Sequence, residues 1–413
     1  YNNRHYINTV VREARSAGVD FYLEVKELSF PELLPEIIPG LMNADGSLCP
    51  HHPFWWQFLA DKITELLEVV PGLAGVIVSP GSRESKVSIS TNRCTCERCH
   101  TRTPLDWYTD LLKAMHGPLA AAGKTLAVRD FSYTVEQQSL MIAAADRCSP
   151  DVVITLKNTP HDYYPNFPHN PRIGDCGSHR QWVEFDAWGQ FYGMGFFPVG
   201  IVEDIRSRIE HCRGKAVDGV WFRTDWEVIN EASCFNSLNL LNLVAGAMLA
   251  RDPAVDSGQI HRRWLAHGLV SPLKSGSVAQ APVVPTASGA ADALAALMRE
   301  SWKVMEKAVY VRGHLFHEDD QYPNSVERAF DMMVRIHGRD QWEPGASKKL
   351  EAIPENLQVI FQEKADAVAG AARLASSFDP RALGVPEEFA AELATVLDLY
   401  VLYVRGFERC AKA

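Results

Sequence analysis

The chain has 413 residues, enough to bury a large core and to form two or three domains. Hydrophobic residues at 46% and charged residues at 22% are ordinary for a globular protein, and no apolar run is long enough to span a bilayer. The net charge of −10 argues against nucleic-acid and anionic-membrane partners, both of which reward basic patches.

The chain opens at Tyr1 directly on a helical pattern, without an initiator Met or a signal peptide, and reads as a fragment or a processed chain. Tyr6, Ile7, Val10, Val11, Ala14 and Ala17 fall at helical spacing, with Gly18 as a C-cap. A strand is predicted over residues 19–25. Phe58, Leu59, Ile63, Leu66, Leu67 and Val70 trace a second helix that stops at Pro71-Gly72. Residues 75–78 read as a short buried strand, and Leu111, Leu112, Met115 and Leu119 mark a further helix. Strands are then predicted over 126–131, 152–156, 182–188 and 219–223.

Six strands, mostly separated by helices, suit parallel βαβ units. The predicted class is therefore α/β, a (β/α)8 TIM-type barrel whose first two strands would lie upstream of Tyr1. An open doubly wound sheet is the alternative, but no glycine-rich phosphate turn follows the first strand. Residues 1–252 would form the barrel and residues 253–413 an all-helical C-terminal domain. The helical runs there are expected at 291–312, 350–376 and 386–412, and Gly268 to Ser288 would be a poorly structured connector.

In a parallel barrel the loops after the strands carry the chemistry, so polar residues at strand ends matter most. Ser79 to Glu84 follow the second observed strand, and Arg129 and Asp130 end the third. Lys157, His161 and Asp162 follow the fourth, Glu184, Asp186 and Gln190 the fifth, and Arg223, Asp225 and Glu227 the last. Several carboxylates among Arg, Lys and Trp suit glycoside hydrolysis, in which one acid protonates the leaving oxygen and a second carboxylate activates water or attacks the sugar.

Each of these residues also has a plain structural reading. Glu84 could pair with Arg83 on the surface, and Asp162 could cap the turn that begins at Pro160. Glu184 and Asp186 share one strand face, so either could be the buried partner of a cation. Arg129 and Lys157 sit at the mouth of apolar strands and would either neutralise the site's own carboxylates or bind an anionic substrate. Trp182, Trp188 and Trp226 flank these positions, where an indole could stack on a sugar ring or simply pack.

The cluster Cys94-Thr95-Cys96-Glu97-Arg98-Cys99-His100 offers three thiols and an imidazole to a zinc ion. Its Cys-x-Cys-x2-Cys spacing is unusual for structural zinc and no second pair follows, so a loop staple or free thiols are expected instead, with no metal and no organic cofactor. Nine cysteines do not make a disulfide scaffold in a chain this long, and their odd number favours a reducing, cytoplasmic setting.

Several segments resemble glycoside hydrolase family 67, the α-glucuronidases. They are Ser16 to Leu23, Phe30-Pro31-Glu32-Leu33, Pro53-Phe54-Trp55-Trp56 and Pro71 to Val78. Arg129 to Tyr133, Leu156 to Tyr163, and Leu243 to Pro253 with Trp264 continue the likeness. The resemblance covers roughly residues 5–270.

It implies a carbohydrate-active barrel that degrades oligosaccharides by exo-acting, inverting hydrolysis, with dimerisation through the helical region. Glu84 would be the acid and Asp162 the base. Arg129 and Lys157 would hold a uronate carboxylate, with His161, Glu184, Asp186, Trp188, Gln190 and Asp225 around the sugar. Two positions depart from the family. Gln190 stands where it has its second candidate base, and Ser79 where it has a lysine. The base therefore rests on Asp162, or moves to Glu184 or Asp186.

Overall fold

The structure, a computed structural model, describes residues 2–81, 85–132, 134–225, 233–270 and 281–413. Six strands form one sheet in strictly sequential order. They are β1 (Tyr22–Lys26), β2 (Gly75–Ser79), β3 (Thr125–Arg129), β4 (Val153–Lys157), β5 (Gln181–Asp186) and β6 (Gly219–Arg223). The first four pair in parallel, with Tyr22 opposite Gly75, Val76 opposite Leu126 and Val128 opposite Ile154. Sequential order is what repeated βα winding in one direction gives, and it differs from the order of a doubly wound sheet, which reverses in the middle.

The longer helices that precede or link these strands are α1 (Asn2–Ser16), α2 (Phe54–Val69), α3 (Pro104–Ala121), α4 (Val135–Cys148) and α5 (Val202–Gly214). Helix α3 starts where its sequence says it should. Thr103 Oγ1 accepts from the Asp106 amide, and Asp106 accepts from the Thr103 amide at 2.9 Å, a complete capping box. Between β4 and β5 there is no helix: residues 158–180 cross over as a loop.

By packing, the chain divides into two compact units. The first comprises residues 1–156, 172–182 and 217–219. Its core is the apolar face of the sheet, where Val76, Val78, Leu126, Val128, Ile154 and Leu156 join Trp55, Leu59 and Ile63 of α2 and Trp107, Leu111 and Met115 of α3. Each fully buried side chain of this kind contributes roughly 1.5–3 kcal/mol. Gly75 is required in the sheet, since a Cβ there would lie 2.2 Å from the Thr125 carbonyl oxygen. The sheet curls within this unit. The Tyr22 and Trp182 rings meet edge to face at 5.4 Å, although β1 and β5 would stand about 19 Å apart in a flat sheet.

The second unit comprises residues 157–171, 183–216 and 220–413. After α6 (Leu240–Arg251) and α7 (Ser257–Ala266) come the three long helices α8 (Ala290–Val309), α9 (Pro354–Ser377) and α10 (Glu387–Lys412). The connector is pinned at its described ends. Leu269 and Val283 exchange backbone hydrogen bonds of 2.8 Å, and Thr286 donates to the Gly384 carbonyl at 2.7 Å.

An all-helical C-terminal region is not what forms. Tyr310–Val311 pairs antiparallel with His314–Leu315. Arg312 and Gly313 both take positive φ, the conformation of a two-residue hairpin turn. The fully buried Lys364 allows the change from helix to strand. Its ammonium donates to the carbonyls of Lys307 at 2.6 Å, Ala308 at 2.9 Å and also Tyr310, which satisfies the end of α8. Burial pushes its pKa down to about 8. Among the described residues, no helix is long and apolar enough to cross a membrane.

Candidate active site

Strand alternation places the polar residues of each unit opposite the helix-packed apolar face. In the first unit these are Glu24 and Lys26 on β1, Ser79 on β2 and Arg129 on β3. The Arg129 guanidinium is nearly buried and donates to Glu24 at 3.1 Å and to Ser79 at 3.4 Å, while Ser79 donates to Glu24 at 2.7 Å. Arg129 therefore already faces a carboxylate of its own chain. Ser79, which stands where family 67 has a lysine, is the bridge between them.

Glu27, just past β1, escaped the sequence reading. Its buried carboxylate accepts from the Gly81 amide and from Ser88 at 3.0 Å, which ties Gly81 to Ser88. Asp130 is likewise buried and accepts from Gln138 at 2.6 Å and from the Ser132 amide at 2.9 Å. Glu84 itself lies outside the described residues, as do Arg83, Trp226 and Glu227.

In the second unit the polar side chains gather on the loop after β4. Thr159 Oγ1 donates to the carbonyls of His161 at 3.0 Å and Asp162 at 2.5 Å, which holds Asp162 at a φ of 44° in the left-handed region. Asn170 donates to the carbonyls of Lys157 at 3.1 Å and Thr159 at 3.3 Å. The Asp162 carboxylate caps no backbone turn. It pairs with the buried Lys157 ammonium, and its other oxygen lies 3.4 Å from His161 Nε2 and 3.5 Å from the Tyr164 hydroxyl.

Burial alone would raise the Asp162 pKa, but Lys157 and His161 outweigh it and hold the group well below the usual carboxylate range. His337, from the C-terminal region, packs its ring 4.5 Å from that of His161. Burial and the neighbouring His161 keep the pKa of His337 well below normal, so it stays neutral. Sequence order gave no hint of His337, which follows Asp162 by most of the second unit.

Around this centre, Tyr163 is flanked by Lys157 at 5.1 Å and Arg223 at 5.0 Å from its ring centroid. Glu184 is fully buried on β5, and its carbonyl accepts from the Asn158 amide at 2.9 Å. Asp186 is committed to structure: it accepts from the amides of Trp188 and Gly189 at 3.1 Å and Gln190 at 2.9 Å, and Arg223 Nε lies 3.5 Å away. Trp188 and Gln190 are buried in the turn that follows, whereas Asp225 is exposed.

The loop from 158 to 168 is organised by one residue that periodicity could not single out. Arg208 of α5 is buried, grips Asp204 through Nε, and donates to the carbonyls of Asn158, Pro165, Phe167 and Pro168 at 2.8–3.3 Å.

Trp188 is held in place by a glycine. Gly195 takes a φ of +66°, and a Cβ there would lie 2.1 Å from Trp188 Cε2. Gly195→Ala is expected to lower stability by about 2–3 kcal/mol through clash and left-handed strain. A urea midpoint that falls at unchanged slope is the sign to look for. An unmoved midpoint would contradict the packing described.

Among the described residues, two groups of side chains could hold a metal ion. The ligand atoms of His161, Asp162 and His337 lie within 4.8 Å of one another, but the Lys157 ammonium already occupies that carboxylate. The other group is Cys94, Cys96 and Cys99 with Cys49, a residue the sequence reading did not connect to them. His100, the expected fourth partner, is exposed.

No protein-family model and no curated protein matches the chain. Among solved structures it is similar to a glycoside hydrolase family 20 exo-β-N-acetylglucosaminidase from Vibrio harveyi, solved with N-acetylglucosamine, at 13% identity and a TM-score of 0.41. The match covers 64% of this chain and 44% of that one, so the chain spans less than half of the enzyme's length. The likeness to family 67 stays one of motifs.

Proposed function

We propose that the chain is the catalytic part of a glycoside hydrolase that releases a terminal sugar from an oligosaccharide. The observation that carries this reading is Asp162, kept anionic at the end of β4 by Lys157 and His161 and backed by the neutral His337. A carboxylate so held cannot be the proton donor. It suits the partner that orients and activates water or steadies an oxocarbenium-like transition state. Glu84, three residues past the Glu27-anchored Gly81 in sequence, is the proposed acid. Glu184 remains the alternative base, since Asp186 is spent on its turn.

A uronate substrate fits less well than a neutral sugar. Arg129 and Lys157 each already face a carboxylate of the protein, Glu24 and Asp162, so a substrate carboxylate would compete with both. On a panel of aryl glycosides and oligosaccharides, wild type is expected to turn over neutral terminal sugars in preference to glucuronides. Glu84→Gln and Asp162→Asn should each lower kcat by about 10²–10⁴-fold while binding persists.

Gln190, in place of a family glutamate, favours a second reading as a non-catalytic sugar-binding protein. Wild type that binds members of the panel without cleaving any would establish that reading instead.

A further inference from the structure

We infer that Cys49, Cys94, Cys96 and Cys99 form a structural zinc site with four thiolate ligands. The inference is independent of the proposed hydrolase activity and concerns the first unit alone. Cys49 precedes Cys96 by 47 residues, yet its Sγ lies 3.5 Å from Cys96 Sγ and 3.7 Å from Cys99 Sγ. All four sulfurs lie within 4.8 Å of one another.

These separations decide between the possible fates of the thiols. A disulfide needs sulfurs about 2.05 Å apart. A tetrahedron of sulfurs about 2.3 Å from a zinc ion has edges of about 3.8 Å. Both separations of Cys49 match the tetrahedron. Soft thiolates select zinc over magnesium or calcium, and four protein ligands leave no open position for catalysis, so the role is structural.

The surroundings are built for such a centre. Cys94 Sγ accepts from the side-chain Nδ2 of Asn43 at 3.1 Å, and Cys99 Sγ from the side-chain Nδ2 of Asn92 at 3.7 Å. N–H donors to sulfur are the usual outer-shell partners of a thiolate centre. The side-chain oxygen Oδ1 of Asn92 also accepts from the Cys94 backbone amide at 2.8 Å, which sets the turn that presents the first of the three clustered thiols. Cys49 is fixed from the other side: Trp55 Nε1 donates to its carbonyl at 3.0 Å, and Trp107 Nε1 donates to that of Pro50 at 3.1 Å. Cys49 belongs to the connection after β1 and the other three to the connection after β2, where Cys96 caps and Cys99 lies within the short helix Glu97–Thr101. A zinc ion there ties together two loops at the strand ends, one of which carries Glu84 in sequence.

The test is metal analysis of the full chain purified without chelator. One zinc per chain is expected, released when a mercurial titrates four thiols and detected with a chromogenic chelator. Cys49→Ser should lower the zinc content about tenfold or more, while Cys148→Ser and Cys212→Ser leave it unchanged. Because Cys49→Ser could fail to fold, the wild-type protein is also exchanged into cobalt(II). The intense thiolate-to-cobalt and tetrahedral ligand-field bands of an all-sulfur site are expected. Zinc below about a tenth of an equivalent, iron in its place, or a non-reduced mass lower by two or four hydrogens would each overturn the assignment.

Discussion

Lys157→Met is expected to destabilise the second unit by about 3–5 kcal/mol, because it strands a buried carboxylate without its cation. In the wild type the depressed pKa of Asp162 means its pairing is fully present above the unfolded value of about 3.9 and is lost only as pH falls through the much lower folded value. Without Lys157, burial dominates and the folded pKa moves above the unfolded one. The variant should then lose stability as pH rises through that value.

The gap between wild type and variant is therefore smallest in acid, where the variant's carboxyl is protonated, and widens as pH rises toward neutrality. Urea unfolding at pH 4, 5.5 and 7.5 measures it. The double variant Lys157→Met/Asp162→Asn should recover part of the loss, since no charge is left unpaired. A gap below about 1 kcal/mol, or one that does not change with pH, would mean that the pair is solvated rather than buried.

Arg208→Lys carries the second large effect. The residue is 4% exposed and makes six hydrogen bonds, two to Asp204 and one to each of four carbonyls of the 158–168 loop. A lysine keeps the charge but offers a point donor in place of a planar fork, and most of those carbonyls lose their partner. Each buried acceptor left unsatisfied costs about 1–3 kcal/mol, with relaxation and water entry limiting the sum to about 3–5 kcal/mol.

Burial raises the pKa of Asp204 against the pull of Arg208, so weakening that grip adds a carboxylate that ionises reluctantly. Amide hydrogen exchange should report lost protection in residues 158–170. Protection equal to wild type would remove Arg208 as the organiser of this loop.

Much of the fold was legible because it is written in local periodicity. Short apolar runs at 75–78 and 152–156 became β2 and β4, since a strand buried on the helix-packed face has to be apolar there. Thr103 and Asp106 carry the start of α3 in three residues of spacing. The turn at Arg312-Gly313 was missed because it uses Arg at a position where Asn or Asp is the usual signal.

The candidate site was legible as far as strand ends go, since Lys157, Asp162 and Asp186 all lie there. Their roles were not. Whether a carboxylate meets a cation, as Asp162 does, or three amides, as Asp186 does, depends on the path of the following loop. His337, Arg208, Glu27 and Cys49 went unnoticed for a common reason. Each reaches its partners from a distant part of the chain, and no periodic pattern marks a lone histidine, arginine, glutamate or cysteine for such a contact.

The meeting of Cys49 with Cys94, Cys96 and Cys99 has a practical corollary for anyone recombining this scaffold. The connections that leave β1 and β2 travel as a single cassette, together with the indoles of Trp55 and Trp107 that seat Cys49 and Pro50. A chimera that exchanges only one of them would bring one or three of the four sulfurs to a frame shaped for the whole. Libraries built on this scaffold should therefore vary residues 27–53 and 80–103 jointly, or leave both untouched.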